Sequence, residues 1–287
     1  MIAAPSLWGF GPEDAPVTVR NAEALLAHLP VFIGGWPLRR LGDGRDAKPD
    51  IDVVEVAGGG FTIRISGPGG NDAACSDEFE AANALAGGLI TGFVVQQPNR
   101  ICLHAGAVAL GDGLAVMLGN SLASKSGVAL QMTAAGHRLF GDDRLGVEAA
   151  GDDGGGAQGL CLGLMPRLRL PLPADCGARF AEFVDGYTEI RNDDLVYLKL
   201  WEGETAGFGD TAPITTLIFL DRCENGPVRL EPEDRDTMTN ALLENCFAPH
   251  IKAARLAAWL GAIVEGCACY RATFSSSREV AIAIAAI

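Results

Sequence analysis

A mixed α/β (α+β) architecture follows from three features of the sequence. Short β-like runs such as Ile51 to Val56 and Gly60 to Ile65 are separated by turns rich in Gly, Pro and Asp. The charge-free apolar run Leu114 to Leu118 is followed by a small polar loop and then by apolar residues at helical spacing. The chain has 287 residues, 48% of them hydrophobic, which suffices for a sizeable core and allows one or two domains.

Taken in order, the residues divide into three regions. The first, to about residue 100, reads as a small mixed lobe with turns at Leu41 to Pro49 and Gly67 to Asp72. Asp77 to Leu89, richer in Ala, Glu and Leu, is predicted helical and leads into the next strands. The second region, from about Arg100 to Pro173, holds the strand, loop and helix noted above. The Gly/Asp-rich stretch Ala149 to Gly156 interrupts it, and there Asp152 and Asp153 read as solvated because their glycine neighbours supply no rigid frame. The third begins near Ala174, with strands predicted at Leu195 to Leu200 and Ile214 to Leu220 and helices at Glu233 to Cys246 and His250 to Gly266. Leu256, Leu260 and Val264 form an apolar stripe suited to a core, and Val280 to Ile287 reads as a docked strand or short helix. The expected domains are residues 1–100 and 101–287.

Chemistry concentrates between Leu114 and Leu145. Gly119 ends the apolar strand where the backbone can turn sharply, Asn120, Ser121, Leu122, Ala123 and Ser124 form a mostly small loop, and Lys125 and Ser126 open a helix that carries Val128, Ala129, Met132 and Ala135 on one side. Free N–H groups and the dipole at such a helix start attract an anion, and phosphate is the natural guest. Lys125 would reach the terminal phosphates and the Ser126 hydroxyl the magnesium that accompanies a nucleotide. Gly119 to Ser126 matches the P-loop pattern G-x-x-x-x-G-K-[ST] except that Ser124 replaces the second glycine. A side chain in a left-handed conformation costs about 1 kcal/mol, which strains such a loop without forbidding it. An ordinary strand-to-helix turn would use similar residues. Gly136 then ends the helix, and Arg138 to Phe140 is a short strand that delivers Asp142 and Asp143. Successive strand side chains point opposite ways, so one aspartate is expected to face a metal and its neighbour an acceptor hydroxyl.

Leu103-His104-Ala105-Gly106-Ala107-Val108, the turn Gly111-Asp112-Gly113, the P-loop-like segment and Gly141-Asp142-Asp143 together resemble the HPr kinase/phosphorylase-like serine kinases, whose nucleotide fold is related to phosphoenolpyruvate carboxykinase. The resemblance covers roughly residues 101 to 175. It implies an HPr kinase-like nucleotide core behind the small N-terminal lobe, with His104 near the phosphates, Lys125 as the phosphate lysine, Ser126 and Asp142 on the metal, and Asp143 as base toward a serine hydroxyl. Met165 to Pro173 looks like the Arg-rich, Pro-punctuated segment that this family carries after its acidic strand. Alternation places Arg167 and Arg169 on one face, suited to phosphate or to carboxylates of the chain. The implied activity is transfer of a phosphoryl group from ATP or a related nucleotide, with Mg2+, to a serine hydroxyl on a protein, peptide or small molecule. Phosphorolysis is the reverse option, and the implied assembly is a homo-oligomer. The alternative reading is a catalytically impaired nucleotide-binding or interaction protein of the same fold, in which Ser124 and Leu122 mark lost turnover. Ser275 to Ser277 suggest either a self-phosphorylated tail or an ordinary serine-rich loop.

A formal net charge of -14 argues against nucleic acid and anionic membranes as partners, since both would be repelled. No stretch resembles a signal peptide or a membrane span, so the expected location is cytoplasmic. Eight cysteines are scattered without a C-x-x-C pair, which favours reduced, mostly buried thiols over zinc. Cys102, two residues from His104, raises a Cys-His nucleophile pair as a minor option against simple packing.

Overall fold

The computed structural model describes residues 5–149 and 156–287, so Asp152 and Asp153 lie outside the described residues. The chain is mixed α/β and divides into two compact units, one reaching to Pro98 and including Ala248–His250, the other comprising Asn99–Phe247 and Ile251–Ile287.

In the first unit β1 (Ser6–Phe10), β2 (Val17–Arg20), β3 (Leu38–Asp43), β4 (Ile51–Glu55), β5 (Phe61–Ile65) and β6 (Ala73–Cys75) form a sheet of order β3-β1-β2-β4-β5-β6. Alternation places Ile51, Val53, Phe61 and Ile63 on its buried face. Helix α1 (Glu78–Val95) covers that face, started by the Asp77 side chain, which accepts from the Glu80 N–H at 2.8 Å. It runs six residues past the expected Leu89, and its glycines let the helix approach the sheet. A Cβ on Gly92 would lie 2.8 Å from Val17 Cγ1. The expected turn at Leu41 to Pro49 is corrected at its start: Leu41 to Asp43 belong to β3, paired with β1.

The second unit contains β7 (Arg100–Leu103), β8 (Gly106–Leu110), β9 (Gly113–Leu118), α2 (Lys125–Ala134), β10 (Leu139–Gly141), β11 (Leu145–Glu148), β12 (Gln158–Leu160), β13 (Arg167–Arg169), α3 (Ala178–Tyr187), β14 (Thr188–Arg191), β15 (Leu195–Leu198), β16 (Thr211–Arg222), β17 (Arg229–Pro232), α4 (Arg235–Glu244), β18 (Cys246–Phe247), α5 (Ala253–Glu265), β19 (Ala268–Phe274) and α6 (Ser277–Ile284). Ten strands make one mixed sheet of order β10-β8-β9-β16-β12-β11-β7-β18, with β19 branching from β16 and β17 pairing with β19; β13, β15 and β14 form a small second sheet. Strands β9, β16 and β19 are parallel, and every residue of β9 is buried, as a strand covered on both faces requires. Helices α2 and α6 pack together over a core of Val128, Met132, Ile218, Phe274, Val280 and Ile284.

Several boundaries move. The strand expected at Arg138 to Phe140 is Leu139–Gly141, because it pairs with β8 at Val108 and Ala107. Cys246 leaves the predicted helix to pair with β7 as β18. The last apolar run is helical, with the Ser276 hydroxyl accepting from the Glu279 N–H and Ser277 buried, so the serine cluster is the start of α6. Leu260 and Val264 are core residues. Among the described residues, no helix is long and apolar enough to cross a membrane.

Candidate functional site

The loop after β9 is curled by its backbone. Gly119 has φ of 154°, and a Cβ there would meet the Leu220 carbonyl oxygen at 2.8 Å and Ala123 Cβ at 2.9 Å, so the position requires glycine. The Ala123 N–H closes a turn onto Asn120 O at 3.1 Å. Leu122 and Ser124 both take left-handed φ values, 71° and 64°. Ser124 thus adopts the conformation usual for glycine, at a cost of about 1 kcal/mol, and its Oγ accepts from Arg222 Nη1 at 2.7 Å.

Lys125 opens α2 and is 8% exposed; its Nζ donates to Gly119 O at 2.8 Å and to Asn120 O at 3.4 Å, spanning the loop from inside. Burial lowers its pKa, and the nearby charges of Asp143 and Asp142 pull the other way.

The acidic pair follows β10, which β8 positions. Asp142 is 1% exposed, and its Oδ2 accepts from the Arg167 backbone N–H at 3.0 Å. Its Oδ1 has no hydrogen-bond partner of good geometry among the described residues, although the Ser126 hydroxyl is near enough to affect it. Burial raises the pKa of Asp142, against the lowering influence of Ser126 and the Arg167 amide. Asp143, at φ of 67°, turns the opposite way and is half-buried. Its Oδ1 lies 3.2 Å from His104 Nε2, and its Oδ2 lies 3.6 Å from Arg167 Nη2 and 3.9 Å from Arg144 Nε. The His104 hydrogen bond outweighs desolvation and, with Arg167 and Arg144, holds the Asp143 pKa down to about 2. Burial works against the charge of Arg167, but the Tyr197 hydroxyl, Asp143 and Asp142 raise its pKa overall. A buried carboxylate oxygen without a partner beside a serine hydroxyl suits a small hard cation that keeps most of its waters, so Ser126 and Asp142 fit Mg2+.

Two openings adjoin the loop and the acidic pair, and Lys125, Ser126, Asp142 and Arg167 line neither of them. Asn120, Ser121, Leu122 and Ala123 line a cleft of about 510 Å³ together with Leu220 to Glu224 and Ser275, the carboxyl ends of the three parallel strands. His104, Asp143 and Arg144 line a smaller cavity of about 190 Å³ with Glu244 to Phe247. Arg169 is exposed and takes no part in the ion pairs of the acidic residues; of the two predicted arginines only Arg167 reaches them. The Cys-His option is corrected. Burial pushes the Cys102 thiol up to about 11, which suppresses the thiolate, and His104 lies beyond the end of β7 with its Nε2 on Asp143.

Arg222, Arg144 and Tyr197 were not foreseen. For Arg222 a usable signal exists, because it follows the strand predicted at Ile214 to Leu220, at the carboxyl end where ligands bind in open α/β sheets. Arg144 and Tyr197 reach the site through β11 and β15 pairing, for which one sequence holds no cue.

No family model matches the sequence, and no curated protein does. Among solved structures the chain is similar to one described as the Hpr(Ser) kinase/phosphatase from Coxiella burnetii, at 13% sequence identity and a TM-score of 0.31, covering 64% of this chain and 91% of that one. A likeness at that score carries no weight for function.

Proposed function

We propose that the chain is a phosphotransferase of the HPr kinase-like type, moving the terminal phosphoryl group of ATP to a serine hydroxyl, with residues 101–287 as the catalytic region. A nucleotide polyphosphate lies along Gly119 to Ser126, where the loop amides and the start of α2 receive it. Lys125 exchanges its two carbonyl partners for phosphate oxygens. Ser126 and Asp142 would hold Mg2+, which neutralises charge on the transferring phosphates when bound. Asp143 orients the acceptor hydroxyl and takes its proton; with a pKa near 2 it is ionised at neutral pH and is a weak base. That strength suffices for a loose transition state, in which positioning and charge stabilisation do most of the catalysis. His104 fixes the Asp143 rotamer, and Arg167 balances charge as the phosphoryl group moves.

The observation that carries this reading is the approach of the buried Asp142 carboxylate, one oxygen of which has no hydrogen-bond partner among the described residues, to the hydroxyl of Ser126 immediately after the loop lysine. Nucleotide binding and phosphate release test it. Asp143→Asn is expected to keep ATP affinity within about threefold while lowering turnover by about 10²- to 10⁴-fold, the range for a positioned acid or base. A parent chain that neither binds nor turns over ATP with Mg2+ removes the reading.

The alternative, a nucleotide-binding protein without turnover, is favoured by two details: the Lys125 ammonium closes on the loop's own carbonyls, and Ser124 stands in the second glycine's place. Phosphate release by Ser124→Gly but not by the parent would select it.

A further inference from the structure

We propose that Arg222 is a second phosphate-binding cation of this loop, carried on the Ser124 hydroxyl when no anion is bound and transferred to a polyphosphate when one is. The inference rests on reading Gly119 to Ser126 as a phosphate site. Arg222 ends β16, whose parallel neighbour β9 delivers the loop, and its Nη1 donates to Ser124 Oγ at 2.7 Å at the wall of the larger cleft. In a chain with 36 acidic and 22 basic residues, no carboxylate among the described residues forms an ion pair with it. Its neighbour Asp221 is engaged by Arg271 at 3.1 Å, and Glu224, which lines the same cleft, does not pair with it. A guanidinium with one neutral acceptor keeps its full charge and most of its N–H donors for an anion, and its planar fork matches phosphate oxygens. At about 510 Å³ the cleft is within the size range of small-molecule sites.

The same contact gives the serine a purpose. Glycine at position 124 would relieve the backbone but offer Arg222 no acceptor, so Ser124 and Arg222 act as a matched pair. The strained residue holds the arginine at the mouth of the loop, and an incoming phosphate replaces a neutral acceptor with a charged one.

The experiment measures affinity of the full chain for ATP, inorganic tripolyphosphate and adenosine, with Mg2+ present, in the parent and in Arg222→Gln, Arg222→Ala, Lys125→Met and Lys48→Gln. Melting temperatures check that each variant folds. Arg222→Gln keeps a donor for Ser124 without the charge. It is expected to weaken ATP and tripolyphosphate at least tenfold and adenosine less than twofold, while Lys48→Gln, an exposed cation of the other unit, changes nothing. Unchanged polyphosphate affinity in both Arg222 variants, or an equal loss in Lys48→Gln, overturns the proposal; if Lys125→Met still abolishes binding, the phosphotransfer reading survives that result. Arg222-dependent tripolyphosphate binding without any phosphoryl transfer upholds the proposal and removes the phosphotransfer reading. A parent that binds neither polyphosphate overturns both.

Discussion

Asp142 and Asp143 are adjacent in the chain and opposite in environment. Burial pushes the pKa of the first up, whereas the second is drawn from its ordinary 3.8 to about 2 by the His104 hydrogen bond, with Arg167 and Arg144 assisting. A depressed carboxylate stabilises the fold above its unfolded pKa, and the contribution disappears as pH falls through the folded value, here between about 4 and 2. Carboxyl NMR titration is expected to find Asp143 near the low end of that window, and His104→Ala to raise it. An unmoved Asp143 would show that the imidazole does not set its charge. Cys102 offers a second test. With its thiol fully buried and held at about 11, it is expected to resist alkylation at pH 8 until the chain unfolds.

Among the elements, α1 and the loop before α2 show how glycine serves packing. Gly87 and Gly92 lie in the same helix but meet different surroundings: a Cβ on Gly87 would have no neighbour within 4 Å, whereas one on Gly92 would strike the buried, branched Val17. Gly87→Ala is therefore expected to stabilise by about 0.5 to 1 kcal/mol through helix propensity. Gly92→Ala is expected to destabilise, because an overpacking cost of about 1 to 3 kcal/mol outweighs that gain. Denaturant midpoints of the two variants moving in the same direction would refute this account. Removing the Asp77 cap, as Asp77→Ala, is expected to cost about 1 kcal/mol by the same measurement.

For the molecule as a whole, β16 is the organising strand of the second unit. It pairs with β9, β12 and β19, and its end supplies Arg222 to the cleft. Leu217, fully buried in it, is expected to cost about 2 to 5 kcal/mol on truncation to alanine. The loss should appear in global denaturation; a shift of under about 0.5 kcal/mol would mean that this strand does not anchor the core.

Local chemistry is what the sequence discloses. The strand before Gly119, the helix that opens at Lys125, the hairpin turn at Gly111 to Gly113 and the stop at Gly136 depend on near neighbours, and composition and spacing encode them. Contacts between distant segments lie beyond its reach. Nothing in a single chain's order of residues says that Arg222 donates to Ser124 across 98 positions, that Asp142 is buried under the Arg167 amide, or that His104 holds Asp143. Those pairings arise because β9 and β16 lie side by side and β10 returns against β8, and strand register depends on packing the whole sheet. Residue types at suggestive spacing are therefore readable in advance, whereas burial, charge balance and the partner of each functional group come from the assembled fold.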